Sequence, residues 1–565
     1  MDASKLCFGH FPKHSPIFGK NPSLLRAFPE AHADFWRKPL SASGISRSTR
    51  RFSAKTPLCF GHFPKHTGGS LIGMAASVVA SALALSGCGR SSRETPNVLL
   101  ILADDLGYGD LGCYGAVGVS TPCVDALSSE GVRFTNVHAT ASTSTPSRYS
   151  ILTGEYPWRK AGTDVAAGNA GMIISPSQYT LADLFKARGY ATAAIGKWHL
   201  GLGSQTGEQD WNSRLDEDPS DLGFDYHYIM AATADRVPCV FIENGSVASY
   251  DPSAPIEVSY AQNFPGEPTL RDDPSLAYNL ASSHGHDQSV VNGIGRIGYM
   301  KGGGRALWKD ENIADSIAVH ACRFMEQHSR EPFFMYLATN DIHVPRFPSE
   351  RFRGASSMGL RGDAIAQFDW TVGRVLSALD SLGLSDNTLV ILTSDNGPVL
   401  DDGYADRAEE LVGSHSPTGH LRGGKYSAFE GGTAVPMIVR WPGRVAAGSS
   451  SERLISQVDF LRSLAVLLGF DLPEGAGRDS RDYRQREYVL EQASDHTLSL
   501  RDSRWKYIEP SSGPETVPWG TGIETGYRPE PQLYDLSADP HETLNVAASH
   551  PAIADSLFRI INNLR

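Results

Sequence analysis

Five stretches of this chain are apolar without alternation: Asn97 to Ala103, Tyr190 to Ile195, Phe333 to Ala338, Leu389 to Thr393 and Met437 to Arg440. A strand with one wet face alternates, so unbroken runs of this length predict a mostly parallel sheet covered on both sides. Helices are legible between them. Thr121-Pro122 opens a short one closed by Gly131, with a strand over Val132 to Val137, and Pro146 and Gly154 bracket another that begins near Ser144. Thr180 and Asp183 form a cap pair ahead of Leu181, Leu184 and Phe185, and Gly189 stops that helix. Apolar stripes predict longer helices from Asn312 to Gln327, through Ile313, Ile317, Ala321 and Phe324, and from Asp363 to Leu382, through Ile365, Phe368, Val372, Val375 and Leu379. Residues 202–310 lack periodicity and read as an elaborated insertion. Beyond about 455 come a helix from Gln457 to near Gly469, strand-like Trp505 to Ile508 and Leu533 to Leu536, and a last helix toward Leu564.

Composition changes this picture little. With 565 residues the core can be large, and 56 glycines and 34 prolines imply many loops. The formal charge of -12 argues against nucleic acid, so an anionic ligand must be drawn by a local cluster of cations. Cys113, Cys123, Cys239 and Cys322 lack metal-type spacing, which disfavours a zinc-cysteine site and leaves disulfides open. Residues 1–70 form a basic leader in which Leu6 to His14 and Leu58 to His66 are identical, a non-structural duplication or an upstream reading frame. The apolar stretch from Leu71 to Gly87 suits a secretory h-region. Leu85-Ser86-Gly87-Cys88 resembles a bacterial lipobox, which would make Cys88 the lipidated first residue of an exported protein held to a membrane only by that anchor. A plain signal peptide is the alternative.

Polar residues of a particular kind follow the apolar runs. Asp104 and Asp105 follow the first, Lys197 and His199 the second, His343 the third, and Asp395 and Asn396 the fourth. Ligands of open α/β sheets gather at the carboxyl ends of strands, where paired carboxylates suggest a hard cation. The Ser144 helix adds an anion-attracting N-terminus with Arg148 four residues on. Within the insertion, Asp235-Arg236 and His284-Gly285-His286-Asp287 stand out as polar clusters that could contact a substrate leaving group or be solvated loop residues.

The segment Ser144-Thr-Pro-Ser-Arg-Tyr-Ser-Ile-Leu-Thr-Gly154 resembles, at every fixed position, the signature of the type I sulfatases. Gly196-Lys-Trp-His199, Asp341-Ile-His343 and the Lys425 segment ending in Val-Pro are similar to further family segments, and the likeness extends over about residues 96–565. The family's usual Arg before Val-Pro is Ala434 here, a departure at a supporting contact. The resemblance implies an alkaline-phosphatase-like α/β sandwich, with a large mixed and mostly parallel sheet between helices. A catalytic domain over 96–454 would carry a small C-terminal antiparallel sheet and helix over 455–565. It implies that a radical-type maturase oxidises Ser144 to formylglycine, whose hydrate attacks sulfur. Asp104, Asp105, Asp395 and Asn396, with position 144, would hold one divalent cation, calcium by oxygen count. Arg148, Lys197 and Lys425 would neutralise the sulfate, His343 would protonate the leaving oxygen, and His199 would deprotonate the remaining hydroxyl. The implied substrate is a sulfated carbohydrate outside the cell. Two other readings stay open: a phosphohydrolase of the alkaline phosphatase superfamily using unmodified Ser144, and a non-catalytic binder of sulfated glycans.

Overall fold

The computed structural model describes residues 95–565; the leader, the apolar stretch and Cys88 lie outside the described residues. Its first element, β1 (Asn97–Ala103), is buried along its whole length, as its unbroken apolar run requires. The expected strand over Val132 to Val137 is divided into β2 (Val132–Phe134) and β3 (Val137–His138), because the two halves pair with different partners. Then come β4 (Ala191–Lys197), β5 (Tyr226–Met230), β6 (Phe241–Glu243), β7 (Ser246–Val247), β8 (Phe333–Ala338), β9 (Thr388–Ser394), β10 (Met437–Arg440), β11 (Ser449–Ser451) and β12 (Ile455–Ser456).

Ten of these form one sheet in the order β11-β2-β10-β9-β1-β8-β4-β5-β6-β7. The central strands β9, β1, β8, β4 and β5 run parallel, and antiparallel strands flank them. Register does the functional work. Ala103 pairs with Ser394 and Ala338 with Gly196, so the residues that follow these strands emerge along one edge. Gly196 has φ near +99°, and a Cβ there would come within 1.8 Å of the Ala338 carbonyl oxygen.

Helices cover the sheet in two packed groups. One contains α1 (Pro122–Glu130), α4 (Ile313–Gln327) and α5 (Gly359–Ser381). The other contains α2 (Ser144–Thr153), α3 (Leu181–Lys186), whose capping box of Thr180 and Asp183 is formed, and α6 (Phe460–Leu468). Phe460, Leu461 and Leu464 of α6 are buried in the main core. The tail continues as an antiparallel sheet of β13 (Val489–Gln492), β14 (Leu498–Arg501), β15 (Trp505–Ile508) and β16 (Gln532–Asp535). Leu557 and Ile561 of α7 (Pro551–Leu564) join Leu490, Leu500, Tyr507 and Leu533 in a second core.

A buried polar seam joins the tail sheet to the main body. Lys506, wholly buried, donates to Glu430 Oε1 at 3.0 Å and to Glu491 Oε2. Glu491 Oε1 contacts His138 Nδ1 at 2.7 Å and accepts from Thr433 at 2.6 Å, and Arg501 reaches Glu430 at 3.2 Å. Glu542 Oε2 accepts from the Glu430 N–H at 2.8 Å, while Glu542 Oε1 has no partner. Among the described residues no helix is long and apolar enough to cross a membrane.

Candidate active site

Helix α2 starts at Ser144 after the extended residue Thr143 and is buried throughout, ending at Gly154, where φ is +68°. One turn in, Arg148 lies on the same face as Ser144. Its Nε and Nη2 donate to Asp395 Oδ2 at 2.9 and 2.7 Å, and its Nη1 to the Lys197 carbonyl at 3.1 Å. Lys197 Nζ donates to Asp104 Oδ1 at 2.6 Å and to Ser144 Oγ at 2.8 Å. Ser144 Oγ lies 3.3 Å from Asn396 Oδ1. Asn396 Nδ2 donates to Asp105 Oδ1 at 2.7 Å, and Lys425 Nζ donates to Asp105 Oδ2 at 2.8 Å. His343 Nε2 sits 3.8 Å from Asp105 Oδ2. Residues from four strand ends, one helix start and a distant loop thus meet in one continuous network.

His199 enters from the side. Its carbonyl accepts from Thr145 Oγ1 at 3.0 Å, its Nε2 contacts the Ala166 carbonyl at 3.0 Å, and its Nδ1 has no partner. Asp105 and His199 leave their strands at φ of +57° and +58°. Non-glycine residues adopt that conformation at a cost, and here the packed surroundings impose it.

The electrostatics follow from burial. Asp104, Asp105, Asp395 and Asn396 are wholly buried. Burial raises the Asp104 carboxyl to about 8 despite Lys197 beside it, and Asp104 Oδ2 has no hydrogen-bond donor. Burial pushes Asp395 the same way, but Arg148 and Lys197 outweigh it and hold that carboxyl below the usual range. Both histidines are driven well below their ordinary values, His199 by burial and Lys197, His343 by burial and Lys425. Lys425 itself is held high: burial opposes its charge, but Asp105 and Asp402 more than compensate. Asp104, Asp105 and His343 each offer a ligand atom within 4.8 Å of the others. An all-oxygen set of carboxylates and an amide, with one oxygen orphaned, fits a hard divalent cation.

Ser144, His199, His343 and Lys425 open onto a cavity of about 640 Å³. Its walls also draw on the insertion and the tail. Asp235 is buried, with His286 Nε2 at 3.0 Å and Arg236 Nη1 at 2.9 Å, and both loops line the cavity, while His284 and Asp287 stay half-buried. Asp402 accepts from Lys425 at 2.9 Å and from Tyr426 at 3.0 Å. Gln492, Ser494 and Trp519 arrive from the tail. The adjacency of Asp402 to a polar loop was the only available hint; nothing in the pattern marked the tail residues.

A cation-rich pocket at the carboxyl ends of a mostly parallel sheet between helices makes this an alkaline-phosphatase-like α/β sandwich. A family model described as Sulfatase matches residues 96–470, and the chain belongs to the sulfatase family as a sulfuric ester hydrolase. It is 49% identical over 497 residues to an N-acetylgalactosamine-6-O-sulfatase of Bacteroides thetaiotaomicron, covering 85% of this chain and 96% of that one. It is 30% identical over 511 residues to human arylsulfatase A, covering 85% and 90%. A solved structure titled for metabolism of multiple glycosaminoglycans by the same Bacteroides species superposes with a TM-score of 0.81 at 50% identity, covering 83% of this chain and 99% of that one.

Proposed function

We propose that this sulfatase removes sulfate from a carbohydrate, with a 6-O-sulfated N-acetylgalactosamine unit as the leading substrate. The observation that carries the chemistry is the single network joining Ser144 Oγ to Lys197, Asp104 and Asn396 at a helix N-terminus. The sugar assignment rests on the named activity of the relative at 49% identity.

Ser144 would be the residue that a maturase converts to formylglycine, and the hydrated aldehyde would supply a second hydroxyl that an unmodified serine lacks. Asp104, Asp105, Asp395, Asn396 and position 144 would hold a calcium ion, which would supply positive charge at the attacking oxygen. The chain's own residues do the rest. Arg148, Lys197 and Lys425 bind the sulfate oxygens and spread the charge that develops on them. His343 Nδ1–H donates to the Val344 carbonyl at 2.7 Å, leaving Nε2 to face the leaving oxygen. A bound sulfate places negative charge beside that nitrogen and favours its protonated form, so His343 serves as the acid together with Lys425. His199 donates from Nε2 to the Ala166 carbonyl, so its unpartnered Nδ1 holds the lone pair and serves as the base. Catalytic work of this kind on environmental glycans agrees with export and a lipid anchor at Cys88.

Mass spectrometry of the tryptic peptide Phe134–Arg148 from the native host tests the reading. Loss of two hydrogens at Ser144, together with sulfate release from 6-O-sulfated N-acetylgalactosamine and none from phosphate esters, is the expected result. An intact serine in an active enzyme overturns it.

A further inference from the structure

The loop between β15 and β16 reaches from the tail to the mouth of the cavity and carries Trp519 at its tip. The loop is fastened on both sides. Val517 N–H donates to Ile523 O at 2.9 Å and Thr525 N–H to Glu515 O at 2.9 Å, closing a hairpin-like turn. Ser427 Oγ donates to Glu524 O at 2.6 Å, Ala428 N–H to Thr525 O at 2.8 Å, and Arg422 pairs with the Glu524 carboxylate at 2.7 Å. These bonds pin the loop onto the segment around Lys425.

Trp519 nevertheless stays 42% exposed, one of few large apolar side chains left so among the described residues. Its ring stands at 88° to that of Tyr426, with centroids 4.9 Å apart, and both line the cavity that contains Ser144. Tyr426 is fixed in turn by its hydroxyl on Asp402 at 3.0 Å, and the Lys425 ammonium lies 5.2 Å from its ring centre. An anchored aromatic corner therefore stands one residue from a lysine aimed at the sulfate. Arg236 also lines the cavity; it uses Nη1 on Asp235 and Thr233, while Nε and Nη2 have no partner among the described residues. A pyranose presents an apolar C–H face and an edge of hydroxyl or acetamido oxygens. It matches a cavity lined by both an indole and spare guanidinium donors better than a uniformly apolar ring system does.

We infer that Trp519 is the stacking platform for the sugar ring that carries the scissile sulfate, so that a loop of the tail sets leaving-group affinity at a distant catalytic centre. This deepens the carbohydrate reading above and rests on it. Because the ring's contact with indole is made equally before and during reaction, its loss raises KM and spares kcat.

Wild-type enzyme, Trp519→Ala and Trp519→Phe are compared on 6-O-sulfated N-acetylgalactosamine, with inorganic sulfate as a competitive inhibitor that reports the sulfate grip alone. The expected result is a KM raised about tenfold in W519A, kcat within about threefold, recovery toward wild type in W519F, and an unchanged inhibition constant for inorganic sulfate. An unchanged KM in W519A, with wild type turning over the sugar, overturns the platform and leaves the carbohydrate reading standing. A parallel weakening of inorganic sulfate also overturns it, since the tryptophan then shapes the whole site. A wild-type enzyme inactive on every sulfated sugar offered defeats the carbohydrate reading and the platform with it.

Discussion

Two clusters of buried charge in this molecule look alike locally. Asp104, Asp105 and His343 bring ligand atoms within 4.8 Å of one another, and so do His138, Glu430 and Glu491 in the seam under the tail sheet. Both are threaded by a wholly or nearly buried lysine, Lys197 in the first and Lys506 in the second. The difference is in what each lysine leaves undone. In the seam, Lys506, Arg501, Thr433, Ser499 and His138 occupy every oxygen of Glu430 and Glu491. In the strand-end cluster, Asp104 Oδ2 and His199 Nδ1 lack partners, and the network opens on a cavity. Buried charge alone does not mark a catalytic site; unmet bonding capacity facing an accessible space does.

Substitutions that separate the two clusters test this most strongly. Ser144→Ala should lower kcat/KM by at least about 10³-fold while shifting the melting temperature by no more than about 2 °C. Lys506→Met should do the reverse. It strands buried carboxylates and should cost about 3–5 kcal/mol in chemical denaturation, while the folded fraction keeps kcat within about threefold. If K506M retains its stability, the seam is not what fastens the tail.

Calcium offers a second separation, smaller in effect. Dialysis against a chelator should lower activity about 100-fold, and calcium should restore it and raise the melting temperature, by an amount equivalent to about 2.7 kcal/mol at one hundred times the dissociation constant. Asp105→Asn should lose that thermal response. Glu491→Gln should keep it, because the oxygens of Glu430 and Glu491 are already taken. A response that vanishes in E491Q and persists in D105N places the cation in the wrong cluster.

The two clusters were not equally visible in the sequence, and the reason is geometric. Parallel strands held in register deliver whatever follows them to one edge, so the apolar runs put Asp104, Lys197, His343 and Asp395 at strand ends, and the family resemblance gave them their expected roles around Ser144. The same logic made the central sheet and its helices legible. The seam has no such rule. Glu430 lies in a one-turn helix, Glu491 and Lys506 in strands of the tail, and Glu542 in a turn, so only the docking of the tail brings them together. Asp235 and His286 stood out in the sequence with two readings open, and Trp519 did not stand out, for the same reason: each belongs to a loop whose position is set by distant hydrogen bonds, and loop composition records none of them.

The gentlest test exploits the one atom the seam leaves unsatisfied. Burial, reinforced by Glu430 and Glu491 and opposed by Lys506, raises the Glu542 carboxyl from 4.5 to about 8. Between those values the folded chain retains a proton that the unfolded chain releases, so the stability this group contributes is whole below about 4.5 and is lost as pH rises toward 8. Wild-type enzyme should therefore lose a few degrees of melting temperature between pH 5 and pH 8 by way of this residue, with a slope of at most about 1.4 kcal/mol per pH unit. Glu542→Gln keeps an acceptor for the Glu430 N–H and carries no charge at any pH, so its melting curve should be flatter over that window and cross above the wild type near pH 8. The calcium response of the strand-end cluster should be the same in both proteins. Parallel pH profiles for E542Q and wild type would show instead that the orphaned oxygen is neutralised without a proton, and that the seam is as fully satisfied as its other members suggest.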